Sequence, residues 1–233
     1  VLRKAFKIAM SGRKGPVLVD IPKDVTGAKF DFEPVEPQPI VNETSSEKTD
    51  FEAAAQAINN ARRPMIYMGG GVVSSDAEKQ LVAFAEKIDC PVATSIMGLG
   101  GFPASHPLFM GTLGMHGGYE TGMATADCDL MITVGARFSD RVAGDRNKFG
   151  ENATIIQLDI DKAEINKNVK TDYSLIGDLK DTLQKLTDTV EKAEHKDWIA
   201  KVEEWGKKSS VSETPVSDKY AHPYHIIDAV REL

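Results

Sequence analysis

Leu-Met-Ile-Thr-Val-Gly-Ala-Arg-Phe-Ser-Asp-Arg, residues 130–141, is the stretch on which the reading of this chain turns. Leu130–Val134 is a short apolar run with the length of a strand buried on both faces. Gly135 ends it, and Arg137 and Arg141 then stand on either side of Asp140. In an alternating α/β protein, the segment leaving the carboxyl end of a parallel strand is where ligands dock. Two guanidinium groups there suit an anion held by forked hydrogen bonds, a diphosphate first of all. A loop salt bridge between Asp140 and an arginine accounts for the same residues about equally well.

Working outward, strands alternate with helices. Pro64–Met68, residues 91–94, Leu130–Val134 and residues 154–158 read as strands, with a short one near residues 174–176. Thr49 with Glu52, and Ser75 with Glu78, have capping-box spacing ahead of apolar helical faces. Leu179, Leu183, Leu186 and Val190 mark a closing amphipathic helix. The alternation predicts a doubly wound, Rossmann-like α/β fold, a parallel sheet with helices on both faces. Residues 98–118 form a long Gly/Pro-rich connection leading to a short helix at residues 121–125.

Before that unit, Ala5, Ile8 and Ala9 fit one helix face, and Val-Leu-Val at residues 17–19 reads as a short buried strand. Pro34, Pro37 and Pro39 lie in an acidic stretch without periodicity. The expected organisation is a fragment of one domain (1–27), a linker (28–48), a whole domain (49–190), a second linker (191–221) and the start of a third domain (222–233). Trp198, Val202 and Trp205 keep helical spacing in the second linker, and Pro223 suits the first turn of a new helix. Both ends of the chain fall inside helix-like segments and read as cuts through a longer polypeptide.

Composition bounds the classes. Of 233 residues, 41% are hydrophobic and 27% charged, which is ordinary for a globular protein. A net charge of −7 leaves no electrostatic footprint for nucleic acid or an anionic membrane. No apolar run has the length of a membrane span. Two cysteines, Cys90 and Cys128, lack metal-site spacing and fit a reduced, cytoplasmic setting better than a disulfide framework.

Several strand ends carry residues suited to one extended nucleotide. Gly69-Gly70-Gly71 follows a strand and precedes a helix, so backbone N–H groups there could approach a phosphate, although a tight turn explains it as well. His116 sits among glycines with nothing paired to it, so no acid–base role is assigned to it. Asp159 at a strand end suits ribose hydroxyls, whereas Asp161 reads as a helix cap ahead of residues 162–167, and capping of the final helix is an alternative account of Asp178. The sequence presents no poised nucleophile, no metal cluster and no pair of carboxylates in an apolar pocket. The expectation is a piece that binds, with chemistry elsewhere.

Five stretches together carry a resemblance. They are residues 15–24 (GPVLVDIPKD), 97–100 (MGLG), 113–117 (LGMHG), 135–141 (GARFSDR) and 158–165 (LDIDKAEI). In this order the whole chain resembles the catalytic subunits of the acetolactate synthase (acetohydroxyacid synthase) family, thiamine-diphosphate enzymes of branched-chain amino acid (isoleucine and valine) synthesis. The resemblance implies three α/β domains, of which this chain holds the end of the pyrimidine-binding one, the whole central one, and the start of the diphosphate-binding one. It implies FAD in the central domain, doing no net redox chemistry in the main reaction. Carried over by motif, the FAD contacts are Gly70, Ser95, Ile96, Leu113, Gly114, Met115, His116, Gly135, Ala136, Arg137, Phe138, Ser139, Asp140, Arg141, Asp159, Ile160, Asp178 and Leu179.

Two positions depart from the family pattern. Ser139 stands where aspartate is usual, and Ser95-Ile96 where Thr-Leu is usual. Serine still exchanges hydrogen bonds and Ile96 keeps an apolar surface, so only modest effects on affinity are expected. The family's catalytic glutamate, and its motif for magnesium and thiamine diphosphate, belong to the flanking domains, so the chain alone is expected to be inactive. The resemblance implies a parent that condenses two pyruvates, or pyruvate with 2-oxobutyrate, with loss of CO2. Its expected partners are the other domains, further copies of the catalytic subunit and a regulatory small subunit. The alternatives are another thiamine-diphosphate enzyme, a pyruvate oxidase or glyoxylate carboligase, or a stand-alone nucleotide-binding module.

Overall fold

The computed structural model describes residues 1–34, 36, 48–146, 148–209 and 219–232. Six strands form one parallel sheet: β1 (Pro64–Met68), β2 (Val92–Thr94), β3 (Phe109–Thr112), β4 (Leu130–Val134), β5 (Thr154–Asp159) and β6 (Tyr173–Ile176). Their order is β3-β2-β1-β4-β5-β6. Strands added after β1 run one way and those from β4 onward the other, so the order reverses between β1 and β4. That reversal opens a crevice at the carboxyl edge of the sheet.

The alternation of side chains along the strands explains the two faces. In β1, Ile66 and Met68 enter one apolar cluster while Met65 and Tyr67 enter the other. Two helices, α1 (Leu2–Met10) and α2 (Lys23–Gly27), bury no residues. The first cluster is closed by α3 (Lys48–Asn60), α5 (Glu78–Lys87) and α8 (Leu179–Thr189), through Phe51, Leu81, Phe84, Leu183 and Leu186 among others. The second is closed by α6 (Tyr119–Asp127) and α9 (Lys196–Ser209), through Ala124, Trp198, Val202 and Trp205. Full burial of a side chain such as Leu81 or Phe84 contributes about 1.5–3 kcal/mol. Part of the stretch expected as the second linker is therefore packed helix; residues 210–218 of it, like residues 35 and 37–47 of the first, lie outside the described residues.

Some local expectations differ from the structure. Residues 17–19 form no strand, and Leu18 is 90% exposed. An apolar triplet becomes a strand only beside a partner, and none of the sheet's strands pairs with it. The Gly/Pro-rich connection contains β3. Ser75 does not cap α5, whose N-cap is Ala77. An additional short helix, α4 (Gly70–Ser74), intervenes, and the Ser75 hydroxyl donates back to Gly71 O at 2.8 Å. The Thr49 side chain of the other capping pair lies outside the described residues. At the far end, α10 (Pro223–Arg231) begins as expected, with His222 as N-cap and Pro223 in the first turn.

Candidate functional site

The carboxyl ends of β1 and β4 lie level, Met68 beside Val134, and the backbone pairing continues past them into the turns. Gly69 N–H donates to Val134 O at 2.9 Å and Gly71 N–H to Gly135 O at 3.0 Å. A Cβ on Gly69 would lie 2.3 Å from Gly135 O, and one on Gly71 would lie 2.7 Å from Gly135 Cα. Two glycines of the triplet thus exist for turn-against-turn packing. Gly70 is the one whose neighbour is the rim residue Met97, 3.0 Å from a built Cβ to its carbonyl.

Over this crevice runs a cleft of about 1220 Å³. It brings together Gly70, Ser95, Ile96, Leu113, Met115, His116, Gly135, Ala136, Arg137, Ser139, Arg141, Asp159, Ile160, Asp178 and Leu179 from the carboxyl ends of several strands. Gly114, Phe138 and Asp140 do not line it. Phe138 is buried beneath, 5.6 Å between ring centroids from Phe149 and 6.4 Å from Tyr67. Gly114, at φ +117°, lets the 113–116 turn lie against residue 141: a Cβ there would meet Arg141 O at 2.6 Å, and Met115 N–H donates to that same oxygen. Asp140 opens α7 (Asp140–Ala143) with its side chain 76% exposed.

Among the other residues that line the cleft, sequence reasoning did not single out Tyr67 and Thr112 on strands, Met97, Val73, Ser74, Asp76, Val142, or Gly12, Arg13, Lys14 and Glu164. The Arg-Lys pair directly precedes one of the resembling stretches, and that was the only signal available. Nothing in periodicity places residues 12–14 beside the end of β5.

Electrostatics sharpen the picture. Arg141 Nε is 4.0 Å from Asp140 Oδ2, with both side chains about three-quarters exposed, so the loop salt bridge is loose and worth little. The guanidinium is thus available to a ligand. Asp159 is only 8% exposed; its Oδ1 accepts from Asp161 N–H at 2.9 Å. Burial pushes its carboxyl above the usual carboxylate range, and that hydrogen bond pulls the other way. Burial likewise raises the Tyr67 phenol to about 12, opposed by its hydrogen bond with Ser95. Asp161 caps the turn Lys162–Glu164 and Asp178 caps α8, each accepting one N–H at 2.9 Å, so both capping readings hold.

The rim carries exposed apolar side chains as well, Ile96, Met97 and Met115. Cations, a buried acid and flat apolar surface along one groove suit an elongated ligand with an anionic centre, hydroxyl groups and a planar ring. Among the described residues no group of His, Cys, Asp or Glu side chains is assembled to hold a metal ion, and no helix is long and apolar enough to cross a membrane.

Comparison with known proteins places the chain in a family. The description "Thiamine pyrophosphate enzyme, central domain" matches residues 51–186. The acetolactate synthase large subunit of Buchnera aphidicola (subsp. Schizaphis graminum) is 36% identical over the whole chain, which covers 42% of that relative. The acetolactate synthase large subunit of Corynebacterium glutamicum is 44% identical over 88% of the chain and 33% of its own length. The acetolactate synthase isozyme 3 large subunit of Escherichia coli K12 is 34% identical over the whole chain and 42% of its length. The chain thus spans about two fifths or less of these relatives. With a sheet, a switch-point cleft and this match in agreement, the chain belongs to the thiamine pyrophosphate enzyme family, whose central domain it carries.

Proposed function

We propose that this chain is the FAD-binding central portion of an acetolactate synthase large subunit. In this reading the parent condenses two pyruvates, or pyruvate with 2-oxobutyrate, with release of CO2. The observation that carries it is the juxtaposition of Arg137, Arg141 and buried Asp159 along one cleft at the switch point. Its volume, about 1220 Å³, exceeds the roughly 300–1,000 Å³ typical of drug-sized sites and suits a dinucleotide.

The residues fit FAD in type and order. Arg137 and Arg141 offer forked donors to a diphosphate. Asp159, an acceptor at the end of β5, suits a ribose hydroxyl. Ile96, Met97 and Met115 offer apolar surface to a ring system. When bound, FAD supplies no net redox chemistry to the condensation, and thiamine diphosphate with Mg2+, held by the parent's other domains, supplies carbanion stabilisation. This chain's contribution is to bind, orient and shield. The other domains, further copies of the catalytic subunit, a regulatory small subunit and a cytoplasmic setting belong to the same proposal.

Titration of the purified chain with FAD, followed by flavin fluorescence, tests it. Saturable one-to-one quenching supports the reading, and its absence overturns it. The chain supplied with pyruvate, thiamine diphosphate and Mg2+ is expected to form no acetolactate; detectable product would overturn the assignment of catalysis to the flanking domains.

A further inference from the structure

One wall of the cleft arrives from the far end of the chain. Gly12, Arg13 and Lys14 follow α1 (Leu2–Met10), a helix without buried residues, and stand opposite the end of β5. Arg13 Nη1 donates to Glu164 Oε1 at 3.1 Å across 151 positions of sequence, and lies 3.9 Å from Asp161 Oδ2.

The two partners are mounted very differently. The Glu164 side chain is 5% exposed, and Oε1 also receives Lys167 Nζ at 2.9 Å. The Glu164 N–H donates to Asp161 O, and its carbonyl accepts from buried Gln157 on β5. Arg13, by contrast, is half exposed. A carboxylate buried this deeply holds its place only with cations beside it. The contacts with Glu164 and Asp161 use a single nitrogen of the guanidinium, which leaves other donors of the fork for a ligand.

We propose that Glu164 is a positioning residue: it latches Arg13, and with it residues 12–14, across the cleft so that this wall stands ready for an anionic ligand. The latch rests on geometry alone; its effect on flavin affinity rests on the reading given above. Glu164 acts through Arg13, so its influence on binding disappears when Arg13 is gone.

Trypsin reads the latch directly, because Arg13 must leave Glu164 before the Arg13–Lys14 bond can enter the protease. In the 233-residue chain, Glu164→Gln is expected to speed cleavage there about tenfold, the equivalent of one charge-assisted hydrogen bond, with no change at Lys185 in α8. Arg13→Gln, which keeps Glu164 paired with Lys167, is expected to speed cleavage after Lys14 similarly. In flavin titrations each single variant weakens FAD binding several-fold, and Glu164→Gln causes no further loss in the Arg13→Gln background. Unchanged cleavage at Arg13–Lys14 in Glu164→Gln, or equal losses in both backgrounds, overturns the latch. An unsubstituted chain that binds no FAD overturns the flavin reading and leaves the cleavage comparison to decide the latch.

Discussion

Gly69 and Gly135 meet so closely that a methyl group on the first would lie 2.3 Å from the carbonyl oxygen of the second. The atoms it would meet are Gly135 O, Ala136 Cα and the Cβ fixed to it, so no flexible side chain can yield. Gly69→Ala is therefore expected to prise the β1 and β4 turns apart. Overpacking of this kind costs about 1–3 kcal/mol, and the rigid setting puts this site toward the upper end. At about 2–4 °C per kcal/mol, calorimetry should record a fall in Tm of roughly 5–10 °C. The strain is purely spatial, since Gly69 has an ordinary φ of −122°. A wild-type Tm in Gly69→Ala would mean that the turns are not packed as described.

Arg141 tests the anion site. Its guanidinium is 73% exposed and held only loosely by Asp140 at 4.0 Å and Met115 Sδ at 3.9 Å. Removing it should hardly touch stability but should remove a charge-assisted contact worth about 1.5–3 kcal/mol, roughly ten- to a hundredfold in FAD affinity. Arg141→Gln is the variant to titrate, with Asp140→Asn beside it as a near-neutral control. Equal affinities for Arg141→Gln and the unsubstituted chain would remove the diphosphate from this end of the cleft.

Asp159 gives a pH signature whose sign follows from its burial. Its folded-state pKa lies above the unfolded value, so the native state binds the proton more tightly. Its contribution to stability is present below the unfolded pKa and is lost as pH rises through the folded one. Above that raised pKa the ligand-free chain carries a buried carboxylate at a cost, and Asp159→Asn should raise Tm there while leaving Tm unchanged in acid. A ligand hydroxyl donating to the carboxylate reverses the preference. FAD affinity of the unsubstituted chain should accordingly fall as pH drops into the range of that raised pKa, and Asp159→Asn should flatten the profile. Parallel pH profiles for the two proteins would detach Asp159 from the ligand.

What the sequence revealed follows from how each element is stabilised. β1 and β4 are legible to the residue because central strands of a parallel sheet are buried on both faces and end at glycine. β3 is hidden for the opposite reasons: it is an edge strand, it contains Gly111 at φ +95°, and a register shift interrupts its pairing with β2. Residues 17–19 show that an apolar triplet is a necessary condition and not a sufficient one. Within residues 135–141 the sequence singled out a group of which Gly135, Ala136, Arg137, Ser139 and Arg141 line the cleft, but the chain turns Phe138 inward and Asp140 outward, which depends on the backbone path alone. Arg13 and Glu164 were illegible because their meeting is a tertiary event spanning 151 positions.

The helix α9 carries the last expectation. Trp198 is 4% exposed, its indole N–H donates to Pro64 O at 2.8 Å, and its ring meets Trp205 edge-on at 5.8 Å. Pro64 is the first residue of β1, the strand at the switch point, so this bond ties a helix after the sheet to the sheet's central strand. His195, just before α9, places Nδ1 2.9 Å from Ile88 O and Nε2 3.2 Å from Ala61 O. If α9 were a mere spacer between domains, truncating its tryptophan would matter little. As part of the second apolar cluster, Trp198→Ala should cost about 3–5 kcal/mol, a fall in Tm on the order of 10 °C. Trp198→Phe keeps most of the packing and leaves the Pro64 carbonyl without its partner, so about 1–3 kcal/mol is expected. The ranking Ala below Phe below unsubstituted, measured by denaturant unfolding with an unchanged m-value, locates the loss in the native core; two variants indistinguishable from the parent chain would return α9 to the role of a linker.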